Sequence, residues 1–442
     1  MSVPDRSAPV SSPPRVLRGA LVWLRADPFL TDPGEALVHV PDGAVVCRDG
    51  LIEAVGDWAD LKDSLPEGAV VTHHPDALIT PGFIDCHVHY VQTEMVAAFG
   101  SQLLDWLERH AFPAEQAFAD PAHAAMVAKV FCDELVRNGT TTALVFCSSH
   151  PQSVEALFQE ALGRDMRLIA GKTMMDRNAP DGLRDTAQGS YDDSRALLER
   201  WHGRGRLGYA ITPRFAGSST PEQLALAGAL WAARPDVHVH SHISENLDEI
   251  AWIKSLYPDR SGYLDVYDHA GLAGPRALFA HGVHLTEGEF CRCHETGAAI
   301  AHCPTSNMFL GSGQFRVFDA KRADRPVHVG LGTDIGAGTS FSILATMGEA
   351  YKAAQLNKTS LNAVKALYLA TLGGARALGL EDRIGAIKVG NEADLVVLDP
   401  KATPLLKFRT ERATSIEELL FVLMTLGDDR AVRETWIAGA KA

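Results

Sequence analysis

Between Gly82 and Gly332 the chain repeats one pattern eight times: a short apolar run of strand type, then a longer segment with helical spacing or helix signals. The strand candidates are 82–85, 141–146, 168–172, 209–212, 237–241, 277–281, 298–302 and 327–332. Successive parallel strands need a crossover, and a helix supplies it in right-handed sense. Eight such units in series predict an α/β fold, a (β/α)8 barrel, over about 76–385. An open doubly wound sheet is the alternative, but no Gly-rich dinucleotide fingerprint follows the first strand. The 442 residues would otherwise point to about three domains; a barrel instead takes roughly 250 residues around one centre.

Local signals agree with this alternation. Val127, Val130, Phe131 and Leu135 fall on one helical stripe, and Asn138-Gly139 supplies a stop. Thr220-Pro221-Glu222-Gln223 and Thr286-Glu287-Gly288-Glu289 both read as capping boxes, the second helix ending near Gly297. The flanks differ. Ala20–Trp23, Ala44–Cys47 and Leu51–Val55 near the start, and Asp394–Leu398 and Val432–Ile437 near the end, are short β-rich runs punctuated by Gly and Asp. They predict one small β-sandwich domain built from both termini, 16–75 and 386–442. The Pro/Ser-rich opening, 1–15, reads as a flexible tail.

In a barrel, chemistry gathers at the carboxyl ends of the strands. The first candidate strand runs into Asp85-Cys86-His87-Val88-His89, where imidazoles two apart on a strand share a face. The fifth runs into Ser241-His242-Ile243-Ser244-Glu245, the sixth ends in Ala280-His281, and the eighth runs into Gly332-Thr333-Asp334. Four strand ends thus bring together His87, His89, His242, His281, Glu245 and Asp334. Imidazole and carboxylate suit zinc and tolerate ferrous iron, and none of the seven Cys falls in the pattern. Cys291-Arg-Cys293-His294 sits in a helical stretch where neighbours two apart diverge, so it reads as structural. The scattered thiols fit a reducing, cytoplasmic setting. A formal net charge of −14 argues against nucleic acid as a partner. No apolar run approaches the roughly 18 residues of a membrane span, and no signal peptide opens the chain.

At these positions the sequence resembles a known family. PGFIDCHVH, SHISEN, AHG, AHCPTSN and GLGTD are similar to blocks of the amidohydrolase superfamily. LLDWLERHAFPAEQAF, RNGTTTA, ITPRF, HSHISENLDEI, ATLGGARALGL and LGDDR resemble, more narrowly, its guanine deaminases. The likeness runs from about Pro81 to the last strand. It implies one zinc ion per chain held by His87, His89, His242 and Asp334, with His281 hydrogen-bonding the attacking water. It implies Gln92, Arg214 and Phe215 as purine-recognising residues, Glu245 as proton shuttle, guanine as the small-molecule substrate, and a homodimer. The residue chemistry agrees. Asp334 can take a proton from water, Glu245 can supply one to a ring nitrogen, Arg214 presents a planar fork of donors, and Gln92 offers a donor and an acceptor.

Blander readings stand beside these. Glu245 could serve the macrodipole of the following helix, Arg214 could be a rim ion pair and Gln92 a surface amide. His302 reads as backing the site or structural; His73, His74, His238 and His240 read as structural. Trp106 and Phe112 either fill core or wall a pocket. Tyr90-Val91 replaces a smaller pair usual in the family, and a ring there could narrow the pocket. The rival activity is a related aminohydrolase acting on another purine or a triazine, such as 8-oxoguanine. A binuclear cyclic-amide hydrolase would need a carboxylated Lys at the end of the fourth strand, where Thr212-Pro213-Arg214 stand; a catalytically silent scaffold should have lost the ligands.

Overall fold

The computed structural model describes residues 13–99 and 102–442. Most of the expected tail lies outside the described residues, and Arg15 already opens the first strand.

The eight expected barrel strands are present as Phe83–His89, Thr140–Phe146, Arg167–Gly171, Gly208–Pro213, His238–Ile243, Ala277–His281, Ala299–His302 and His328–Leu331. They pair in chain order and in parallel, each to the next. Ile84, Cys86, Leu144, Ile169, Ala210, Leu278, Ala280 and Ala301 pack inside the ring. Ala143, Val145, Leu168, Ile211 and Val329 face the surrounding helices. The first strand breaks the alternation usefully. Ile84 and Cys86 face inward, yet Val88 packs outward, and the pairing register shifts between Asp85 and Val88. That irregularity turns His87 and His89 toward the barrel mouth.

Closure between the last strand and the first comes from Asp85 rather than from a regular ladder. Its carboxylate accepts from the Thr333 amide at 3.0 Å, the Thr333 hydroxyl and the His87 amide at 3.2 Å. The Asp334 amide donates to the His87 carbonyl at 2.8 Å alongside. Burial of Asp85 works against its charge and raises its pKa to about 7 despite these donors.

Helix Pro121–Arg137 ends at Asn138, as its sequence implies, but Val130 is exposed. Its buried stripe is Ala124, Val127, Ala128, Phe131 and Leu135, so Val130 sits just off the covered face. Thr286 and Glu289 form the full capping box, and Gly297 ends that helix in left-handed conformation. Thr220 caps its helix too, but the Gln223 side chain donates to Ser190 Oγ instead of completing the box. Cys293 is buried while His294 reaches the Pro326 carbonyl, so that cluster shares no centre; all seven Cys are free.

A second sheet of seven strands draws on both ends of the chain. Strand Val70–Pro81, which the sequence reading passed over, is its middle. It pairs in parallel with Arg15–Leu24 and antiparallel with Leu395–Leu398. His73 and His74 lie on that strand, as structural residues should. The Gly82 amide then donates to the Asp394 carbonyl at 2.8 Å, and the chain passes straight into the first barrel strand. Arg206 bridges Glu392 and Asp394 at 2.7 and 2.9 Å, tying this sheet to the barrel floor. Helix Ile416–Leu426 packs its Leu420 and Leu423 into the layer around the barrel.

Asp85→Ala is expected to lower stability by about 2–4 kcal/mol, because buried donors of Thr333 and His87 lose their acceptor. A urea titration checks this; a midpoint shift smaller than about 0.5 kcal/mol would show that the clasp does not close the barrel.

Candidate active site

Four strand ends deliver ring nitrogens and carboxylates to one point. His87 Nε2 lies 3.1 Å and His89 Nε2 3.4 Å from Asp334 Oδ1, and His89 Nε2 faces His242 Nε2 at 3.2 Å. A tetrahedral zinc shell with bonds near 2.05 Å has donor–donor edges of about 3.4 Å, so these spacings fit one ion. The donor chemistry fits as well. His87 Nε2 is buried without a hydrogen-bond partner, and burial lowers the pKa of His87, His89 and His242, leaving neutral imidazoles with lone pairs to give. His87, His242 and His281 together hold donor atoms within 4.8 Å of one another, as do His87, Cys303 and Asp334.

The far side of each ring fixes its aim. His242 Nδ1 donates to the Arg214 carbonyl at 2.6 Å, and His87 Nδ1 meets His240 Nε2 at 2.8 Å. His240 therefore does more than fill space. Its signal was present in His238-Val-His240-Ser-His242, an i, i+2, i+4 series on a strand. His238, by contrast, binds the Leu378 carbonyl and is structural.

His281 Nδ1 is matched to Asn307 Oδ1 at 2.9 Å, so the proton sits there and Nε2 faces the centre. That Nε2 lies 3.4 Å from Glu245 Oε2 and 3.8 Å from Asp334 Oδ2. Burial works to lower the His281 pKa, but the Glu245 and Asp334 carboxylates outweigh it and raise it. Glu245 is buried and accepts from Ser312 Oγ at 3.2 Å; burial, against the opposing pull of His281, raises its pKa to about 7. Its neighbour Glu249, not Glu245, forms the capping box of the next helix. Ser244, His281 and Asp334 all hold positive φ, at 48°, 74° and 52°. Left-handed backbone at non-glycine residues costs of order 1–3 kcal/mol each and here gathers at the strand ends.

A cavity opens onto this cluster, lined by Gln92, Trp106, Arg214 and Phe215 as well as His242 and Glu245. Gln92 is no surface amide: it is 2% exposed and donates to Glu115 Oε1 at 2.9 Å. Arg214 pairs with Glu115 Oε2 within the interior, not at the rim, and lies 5.2 Å over the Phe112 ring. Trp106 walls the cavity, whereas Phe112 packs behind it with Met175 and Leu183. Glu115 was missed as a functional residue although it ends the block Phe112-Pro113-Ala114-Glu115. Tyr90 does not narrow the pocket. Its ring packs on Phe118 and Phe131, and its hydroxyl donates to the Ser153 carbonyl at 2.6 Å. His302 packs on Phe315. Lys172 pairs with Asp185 and takes no part in the centre.

Residues 78–441 match the pattern of the amidohydrolase family. A guanine deaminase of Escherichia coli K12 is 53% identical over 405 residues, covering 91% of this chain and 92% of that one. The chain belongs to the guanine deaminases of the amidohydrolase family. The solved E. coli guanine deaminase superposes on this amidohydrolase with a TM-score of 0.94 at 50% identity, over 97% of this chain and 99% of that one. A Clostridium relative, the guanine deaminase of C. acetobutylicum with bound guanine in its active site, gives 0.87 at 28% identity, over 97% and 99%. An adenosine deaminase from Xanthomonas campestris with bound zinc gives 0.84 at 26%, over 97% and 92%.

His240→Ala is expected to weaken metal retention by this amidohydrolase about 10- to 100-fold, because the ring behind His87 no longer fixes its orientation. Competition with a chelator measures it, and unaltered retention would leave His240 a packing residue.

Proposed function

We propose that the chain hydrolyses guanine to xanthine and ammonia at this centre, using one zinc ion, or ferrous iron on the same donors, held by His87, His89, His242 and Asp334. The observation that carries the reading is the convergence of three neutral imidazoles and a carboxylate beside a buried Glu245, in a chain 53% identical to a guanine deaminase. When bound, the ion would lower the pKa of a water molecule toward neutrality and so supply hydroxide.

The chain's own groups do the rest. Asp334 Oδ2 receives the proton that the water gives up, and His281 Nε2 holds the water's orientation by hydrogen bond. The oxygen adds to C2 while protonated Glu245 delivers its proton to N3. The C2–N bond to the exocyclic amine then breaks: the proton held by Asp334 passes by way of the Glu245 carboxylate to the leaving nitrogen, the C2 hydroxyl returns its proton to Glu245 as it becomes the carbonyl, and ammonia departs. A carboxyl with pKa about 7 suits both halves of that work, since it is protonated and deprotonated in comparable measure near neutral pH. Phe215 and Trp106 line the cavity and would keep bulk water from the reacting edge of a bound purine. The free thiols are in keeping with a cytoplasmic protein.

The direct test is ammonia release from guanine by protein of measured metal content. About one ion per chain and chelator-sensitive turnover are expected; full activity of metal-free protein contradicts the mechanism. Glu245→Gln should keep the metal and lose about 100- to 10,000-fold in kcat. A near-normal rate would remove Glu245 from proton transfer.

A further inference from the structure

Gln92 and Arg214, which both line the cavity, share one anion. Glu115 is fully buried on the short helix Phe112–Gln116 and is not itself among the cavity-lining residues. One of its oxygens takes Gln92 Nε2 at 2.9 Å, the other takes Arg214 Nη1. Ser148 Oγ donates to its backbone carbonyl at 2.9 Å and anchors the turn.

A carboxylate opposite a guanidinium only accepts. It therefore compels Gln92 to turn its NH2 backward and its carbonyl oxygen forward. That oxygen lies against Gly336, where an added β-carbon would sit 2.0 Å from it; the glycine's φ of 120° also excludes a side chain. The result is a fixed polarity at the cavity wall: an acceptor from Gln92 beside the remaining donors of Arg214.

We propose that Glu115 is a positioning residue that sets this polarity, and thereby the preference for an oxopurine, whose ring N–H and adjacent C=O match it, over an aminopurine, whose ring nitrogen and adjacent NH2 present the reverse. The inference rests on the purine reading of the site. An aminopurine leaves the Gln92 carbonyl and the Arg214 fork facing groups of their own kind, and a buried site built for hydrogen bonds rejects such a mismatch strongly.

The test compares guanine with 2,6-diaminopurine, which carries the same 2-amino leaving group but NH2 in place of the 6-oxygen. Intact protein should favour guanine in kcat/KM by about a thousandfold or more. In Glu115→Gln the new amide can donate to Gln92, which frees Gln92 to reverse, and it no longer balances Arg214. The guanine-to-diaminopurine ratio should narrow by about tenfold or more, with a rise in KM for guanine as part of the change. Glu115→Asp keeps the charge opposite Arg214 but withdraws it from Gln92; it serves if the first variant fails to fold, and its ratio should narrow as well. A folded, metal-loaded variant of either kind that keeps the intact ratio overturns the proposal, as does a loss confined to kcat. Absence of ammonia release from guanine by the intact protein would instead sink the purine reading itself.

Discussion

Three imidazole nitrogens and a carboxylate oxygen, linked by contacts of 3.1 to 3.4 Å, place their lone pairs against one another, and the surrounding structure is organised to hold them so. Nothing in the local preferences of a strand end would do this. The Asp85 clasp on Thr333 brings the last strand end beside the first, so that Asp334 meets His87 across the closure of the barrel. The register irregularity in the first strand turns both of its histidines inward, and left-handed backbone at Ser244, His281 and Asp334 aims the other strand ends. Such backbone persists only where the packing around it over-determines the conformation.

The second theme is that single residues serve two parts of the site. The carbonyl of Arg214 accepts from His242 and fixes the lone pair that ring presents, while its guanidinium faces the cavity from the same position. A displacement of this strand end would disturb the histidine cluster and the cavity wall together. Glu115 extends that linkage, because its two oxygens bind Gln92 from the first βα loop and Arg214 from the fourth strand end. Burial makes such a link stiff: a charge pair with no water to compete has few alternative arrangements, and losing one member leaves the other unpaired.

The terminal sheet contributes at a distance. Its strand Val70–Pro81 passes through Gly82 directly into the strand that bears His87 and His89. Arg206 against Glu392 and Asp394 locks the floor of the barrel to the same sheet. The strand that bears His87 and His89 is thus held from both of its ends, by the sheet before it and by the clasp after it.

The sequence by itself determined the eight strand-helix units, both threonine caps, and the candidate set His87, His89, His242, His281, Glu245 and Asp334. Each of these rests on local periodicity or on a residue type at a strand end, and both are written in a few consecutive positions. It did not reveal strand Val70–Pro81, whose polar first half lacks the alternation of a half-buried strand, nor the exposure of Val130, which depends on which face a neighbour covers. The roles of Asn307, Asp85 and Glu115 belonged to the tertiary structure alone, and the histidine series on its strand only pointed toward that of His240. A hydrogen bond between His87 and His240 spans 153 positions, and one between Asp85 and Thr333 spans 248. Tyr90 shows the same limit in reverse: its bulk was evident, but only packing against Phe118 and Phe131 decided that it points away from the pocket. Chemistry carried by a side chain is visible in one dimension, whereas its partner is fixed by how distant segments pack in three.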